Sequence, residues 1–156
     1  MNKTVMRLIL GIMLAGWMII IFWFSNQPAT ESSEISGTIS YRLVEDTDEI
    51  FNWGLTTDQI GNIAGNIEYP IRKAAHMTEY AILAFLLYKT FIHKQNPLIK
   101  SFIFTALYAC SDEFHQLFIS GRAGQIRDVC IDSTGALIML LIIYFILKRK
   151  DKKIGS

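Results

Sequence analysis

Within six residues, Ser111-Asp112-Glu113-Phe114-His115-Gln116 sets out two carboxylates, an imidazole and an amide. Gly121-Arg122 and the pair Asp128 and Asp132 follow closely, and Arg72, Lys73, His76 and Glu79 form a second group upstream. Positions 72, 76 and 79 recur at i, i+4 and i+7, so on a helix they share one face, with Leu83 a turn further down. Asp112, His115 and Gln116 also share a face. Glu113 points about 100° away from Asp112, closer to Gln116.

These residue types admit three kinds of chemistry. His76, Glu79, Asp112, Glu113, His115, Asp128 and Asp132 are candidate catalytic groups. Each imidazole has a carboxylate near it, the arrangement general-base work needs. His76, Glu79, Asp112 and His115 are a candidate divalent-metal set, since mixed nitrogen and oxygen donors suit zinc, manganese or iron. A metal there would activate water or polarise a phosphoryl group, making a metal-assisted hydrolase or transferase. His-x-x-Glu lacks the second His of His-Glu-x-x-His, so no metal motif is matched. Arg72, Lys73, Gln116, Arg122 and Arg127 are candidate substrate-binding groups, because guanidinium forks and ammonium groups match phosphate oxygens. The same groups can also bind or transport an anionic lipid or peptidoglycan precursor without changing it, or only neutralise one another as Arg72–Glu79, His76–Asp112 or Arg122–Asp128 pairs. Pinning helices takes one or two pairs, and this set is larger. His93 reads as solvated, and Asp46, Asp48 and Glu49 read as a solvated face, with calcium binding the alternative.

The elements that must position these groups are apolar. The chain has 156 residues, is 51% hydrophobic and 19% charged, and carries a net charge of +1. It reads as one domain over 1–156, with nothing that suggests nucleic acid. Apolar runs cover about 5–24, 74–92, 98–118 and 129–147, each close to the ~20 helical residues that cross a bilayer core. The first run is too long for a signal peptide and lacks a small-residue cleavage site, so it reads as a retained span. The expected fold is an all-α membrane protein, a bundle of four transmembrane helices. A partly helical extracytoplasmic loop, 25–70, joins the first two. In that loop Ile35, Ile39 and Leu43 suggest a short amphipathic helix capped by Ser32 or Ser33. Thr57-Asp58 caps a second helix weakened by Gly61 and Gly65, and Tyr69-Pro70 breaks the chain. Phe51 and Trp53 are expected at the lipid headgroups. Cys110 and Cys130 read as free buried thiols rather than a disulfide.

Charge sets the orientation. Lys3, Arg7, Lys89, Lys94, Lys100, Lys148, Arg149, Lys150, Lys152 and Lys153 fall on one side of a four-span arrangement. Arg42, Arg72, Lys73, Arg122 and Arg127 fall on the other. The positive-inside rule then puts both termini in the cytoplasm of a multi-pass cell-membrane protein. The polar ends of spans two, three and four all meet the outer face. They would line one outward pocket there, with Asp112 and His115 the first choices for facing in. A pocket at that level suits a membrane lipid or a lipid-linked cell-wall precursor. A homo-oligomer would double the spans. Gly135 would let another backbone approach span four.

Phe24-Ser25-x-Gln27-Pro28, Ile71-Arg72-Lys73-x-Ala75-His76-x-x-Glu79-Tyr80, Asp112-Glu113-x-His115-Gln116-x-Phe118, Gly121-Arg122 and Asp128-x-x-x-Asp132-x-x-Gly135 recur in order through all four runs. Together they resemble the VanZ-like family, small bacterial membrane proteins named for a teicoplanin-resistance component. Asn26 and Ser120 stand where the family's usual pattern has serine and proline. The resemblance implies a part in resistance to teicoplanin-type and lipoglycopeptide antibiotics at the cell envelope. It supplies no chemistry.

Overall fold

A computed structural model describes residues 2–154, with side chains described for 2–150. It is all-α: α1 Lys3–Ser25, α2 Ala29–Phe51, α3 Thr57–Phe91, α4 Pro97–Gln116 and α5 Ile126–Ile154, with no strand among the described residues. α3 is the hub, packing against each of the other four helices.

Side-chain contacts fix the directions. Lys73 meets Asp128, Gly135 abuts Met77, and Ala84 and Tyr88 pack with Ala136, Leu140 and Ile143. The order rises in both helices, so α3 and α5 run parallel. Tyr80 faces Tyr108 and Phe91 faces Phe104, so α4 runs antiparallel to α3. The Tyr108 hydroxyl donates to the Met18 carbonyl at 2.7 Å and His115 faces Phe22, so α1 runs with α4. The four helices therefore alternate in direction along the chain. Ile21, Tyr80, Leu83, Leu87 and Ala109 fill their common core.

Among the described residues two helices are long and apolar enough to cross a membrane, Lys3–Ser25 and the Ile126–Lys150 stretch of α5, not the four expected from the apolar runs. The difference has a local cause. α3 carries His76, Glu79 and Lys89 through its apolar half, and α4 carries Lys100, Asp112, Glu113 and His115. The outer surface of α1 is apolar, with Leu8 at 64% and Ile19 at 66% exposure.

The stretch between α1 and α3 is more helical than expected. α2 is not short: it starts at Ala29 directly after Pro28, without a side-chain cap at Ser32 or Ser33. The Ser36, Ser40 and Thr47 hydroxyls bond back to carbonyls of the preceding turn, which satisfies them inside the helix. Thr56, one residue before the expected cap, opens α3 in a capping box with Gln59. α3 then continues through Pro70 instead of breaking. Proline removes one backbone bond and crowds the preceding turn. Here Glu68 and Arg72 bridge Pro70 on the helix, and both are tied to α2, through Ser36 and Ser33. Val44, Ile60 and Ala64 close the α2–α3 hairpin below its tip. Phe51 and Trp53 stack on each other at that tip. It lies about 33 Å along α2 from Ala29, at 1.5 Å per residue. Asp48 is not merely solvated, since its Oδ1 accepts from the Leu55 N–H at 3.0 Å. Cys110 and Cys130 are free as expected but exposed, not buried. They lie on outward faces of α4 and α5, beside the inward Ala109 and Val129.

Gly135 has no room for a side chain: a Cβ there would collide with the Met77 carbonyl, whereas one on Gly61 would meet open space. Gly135→Ala is predicted to cost about 1–3 kcal/mol in unfolding of the detergent-purified protein, as overpacking does. Gly61→Ala should leave stability unchanged or raise it by up to about 1 kcal/mol. Equal tolerance of the two changes would contradict the close α3–α5 approach.

Candidate functional site

The packing of α3 between α2, α4 and α5 leaves a cavity of about 180 Å³ where the middle of α3 meets the start of α2, the end of α4 and the start of α5. α3 supplies Tyr69, Arg72, Lys73 and His76, and α4 supplies Glu113 and Gln116. The α4–α5 turn supplies Gly121, Arg122, Ala123 and Gln125, and α5 supplies Asp128, Ile131 and Asp132. Ala29 and Ser32 of α2 complete the wall. The structure thus gathers Arg72, Lys73, His76, Glu113, Gln116, Arg122, Asp128 and Asp132 as the spacing suggested. Glu79, Asp112, His115 and Arg127 lie outside the lining.

Each exclusion has a cause. Asp112 and His115 were the first choices for facing in, but α4 turns that face toward α1. Asp112 is 4% exposed behind Gln116, whose Nε2 donates to its Oδ2 at 3.2 Å. The Ser25 and Tyr80 hydroxyls flank the same carboxylate, and neither closes a hydrogen bond. The His115 ring lies 4.7 Å from Phe22, its Nδ1 buried without a partner. Glu79 stands beside the cavity, its Oε2 3.6 Å from His76 Nδ1. Arg127 is exposed and sits over the Tyr69 ring at 5.6 Å.

Among the described residues no three His, Cys, Asp or Glu side chains are arranged to hold a metal ion. The expected set of His76, Glu79, Asp112 and His115 is divided between the cavity, its edge and the α1 interface. So divided, these four donors do not fit a metal.

The cationic wall is built by α3. Lys73 Nζ is 2.7 Å from Asp128 Oδ2 and 5.3 Å from the Tyr69 ring centroid. Arg72 donates from Nη2 to Ser33 Oγ at 3.0 Å and to Glu68. Its Nε is buried without a partner. On the opposite wall Glu113 Oε2 accepts from the Gln125 N–H at 2.9 Å, and the Glu113 carbonyl abuts Gly124, where a Cβ would not fit. Asp132 is 2% exposed.

Arg122 has a second task. Its Nε donates to the Gln27 carbonyl at 2.8 Å and its Nη2 to the Phe24 carbonyl at 3.2 Å. The Ala29 N–H donates to the Ser120 carbonyl at 3.2 Å. The Phe24–Pro28 corner and the Gly121-Arg122 turn are therefore one unit. Gly121 is required there twice over. Its φ is +72°, and a Cβ would come within 3.2 Å of Ala29 Cβ. Serine at 120 keeps the carbonyl that a proline would have offered, so this departure leaves the link intact. Burial lowers the Arg122 pKa, opposed by Asp112, Glu113 and Glu79, and a guanidinium stays charged throughout.

Sequence reasoning missed the contribution of α2, through Ala29 and Ser32 in the wall and Ser33 and Ser36 behind it. It also missed Glu68. The spacing of Glu68 four residues before Arg72 was the available signal. The Ser36 hydroxyl, and after it Arg72, hold the Glu68 carboxyl below its ordinary value of 4.5, against the effect of burial. A depressed folded pKa means stability that is present above the unfolded value and lost as pH falls through the folded one. Melting curves from about pH 7 to about pH 3 should therefore show an acid-side loss that is smaller in Glu68→Gln than in the unaltered chain. Identical slopes would show that Glu68 contributes no such linkage.

No curated protein and no solved structure matches the chain. A family model does, described as VanZ/LLP1 and matching residues 10–148. That match takes in α2, α3 and α4 whole and most of α1 and α5, with every motif that meets at the cavity. The chain belongs to the VanZ/LLP1 family, and its two long apolar helices associate it with the membrane.

Proposed function

We propose that this is a four-span membrane protein that binds, and acts on, a phosphate-bearing lipid-linked substrate of the cell envelope through an outward-facing cavity. One observation carries the reading. Arg72, Lys73, Arg122 and His76 converge on a single cavity at one end of an alternating helix bundle. Cationic groups in a partly desolvated pocket are the usual means of holding phosphate oxygens. The alternating directions of α1, α3, α4 and α5 are those of four successive spans. With the basic ends of the bundle in the cytoplasm, the cavity opens toward the outer leaflet. Resistance to teicoplanin-type antibiotics, which the family resemblance implies, would then follow from binding or altering an envelope lipid.

His76 favours catalysis over binding alone. It lines the cavity with Nδ1 3.6 Å from the Glu79 carboxylate, which would orient the ring and stabilise it when protonated. In that role His76 accepts a proton from a water whose oxygen attacks the head-group phosphorus, the P–O bond to the esterified alcohol breaks, and the protonated ring returns its proton to the departing alkoxide. Simple binding of the same lipid is the alternative.

Calorimetry on the detergent-purified chain should show binding of dihexanoyl phosphatidylglycerol and none of dihexanoylglycerol, which lacks phosphate. Arg72→Gln should weaken the former about tenfold or more, as loss of a charged hydrogen bond does. Equal binding of both lipids would overturn the phosphate reading. His76→Ala should abolish turnover of an envelope lipid extract while phosphate-lipid binding persists; turnover unchanged by that substitution would remove His76 from the chemistry. For the topology, a cysteine at exposed Glu34, in a chain whose own cysteines are replaced, should react with an impermeant reagent added outside intact cells. Labelling only after lysis would reverse the orientation.

A further inference from the structure

Arg72 and Asp132 line the cavity on opposite sides, and neither charged group is fully satisfied by its neighbours. Asp132 lines it at 2% exposure. It has no hydrogen bond or ion pair among the described residues. Its acidic neighbours are engaged, Asp128 by Lys73 and Glu113 by the Gln125 N–H. On the α3 side, Arg72 commits Nη2 to Ser33 and Glu68 and leaves Nε buried and unpartnered. An unmet buried donor or acceptor costs most when it belongs to a charged group.

A bare phosphate would satisfy Arg72 but face Glu113, Asp128 and Asp132. A bare amine would satisfy Asp132 but face Arg72, Lys73 and Arg122. A group carrying both charges meets both walls at once. The volume of about 180 Å³ equals roughly six waters at their liquid volume, room for a small head group. We infer that the cavity takes a zwitterionic head group, a phosphate ester bearing a primary ammonium on a short chain, with the phosphate at Arg72 and the ammonium at Asp132. This rests on the reading of the cavity as a phosphate head-group site and narrows it to one class.

The test uses the full chain in mild detergent, with dihexanoyl phosphatidylethanolamine, dihexanoyl phosphatidylglycerol, dihexanoyl phosphatidylcholine and free O-phosphoethanolamine as probes. The ethanolamine lipid should bind about ten- to a hundredfold more tightly than the glycerol lipid, the worth of one charged hydrogen bond. It should also bind more tightly than the choline lipid, whose ammonium has no N–H to donate. In Asp132→Asn the ratio of ethanolamine to glycerol affinities should fall toward one. The head-group series in the unaltered chain stands independently if that variant does not fold. Equal affinity for the ethanolamine and glycerol lipids overturns the inference and leaves the phosphate site in place. Failure of every phosphate probe overturns both. Competition by O-phosphoethanolamine as strong as that of the lipid supports the zwitterion and points to a soluble source; competition by the lipid alone supports it and points to the membrane.

Discussion

The close approach of α5 to α3 at Gly135 and Met77 is the constraint on which the site depends. With a glycine at 135 the α5 backbone rests directly on the Met77 carbonyl. Because the helices run parallel, this contact also sets what meets one and two turns above it. Lys73 reaches Asp128, and His76 and Asp132 line the same cavity. Below it, Ala84 and Ala136 keep the two helices together, with Tyr88, Leu140 and Ile143 filling the space around them. Any side chain at 135 would push apart the wall that carries the cations and the wall that carries the carboxylates.

Two ties then close the cavity. The turn before α5 is held by the Arg122 guanidinium against the Phe24 and Gln27 carbonyls, which fixes where α2 begins. α2 in turn holds Arg72 and Glu68 through Ser33 and Ser36. Charge around the cavity is paired only in part. Lys73–Asp128 and Arg72–Glu68 are closed pairs, while Asp132 and one Arg72 nitrogen stay open. A network built only to pin helices together would gain by closing these as well, since unmet buried groups cost free energy.

Much of this was legible in the residues. Helical spacing brings Arg72 and His76 to one face, and the polar stretches of α3, α4 and α5, distant in the sequence, meet at one cavity. Family membership was carried by motifs that the fold draws together, most directly the Phe24–Pro28 corner and Gly121-Arg122. The rotation of α4 about its own axis was not legible. Spacing says that Asp112 and His115 share a face, but not that α1 takes that face while α5 takes Glu113. That choice is made by Phe22 against His115 and by Gly124 beneath the Glu113 carbonyl. The length of α2 and the continuity of α3 through Pro70 were also hidden. Serine, glycine and proline argue locally for breaks, and the packing of α2 on α3 overrides them. The apolar runs of α3 and α4 read as spans, yet the site residues dilute them below the composition of α1 and α5.

The account stands on α3 and α5 delivering opposite charges to one cavity, and a double-mutant cycle on Lys73 and Asp128 tests this most directly. Unfolding of the detergent-purified protein would be followed for Lys73→Met, Asp128→Asn and the combined change. The account predicts a coupling energy of about 1–3 kcal/mol between the two positions, as for a partly buried pair in contact. Additive effects, with coupling near zero, would contradict it.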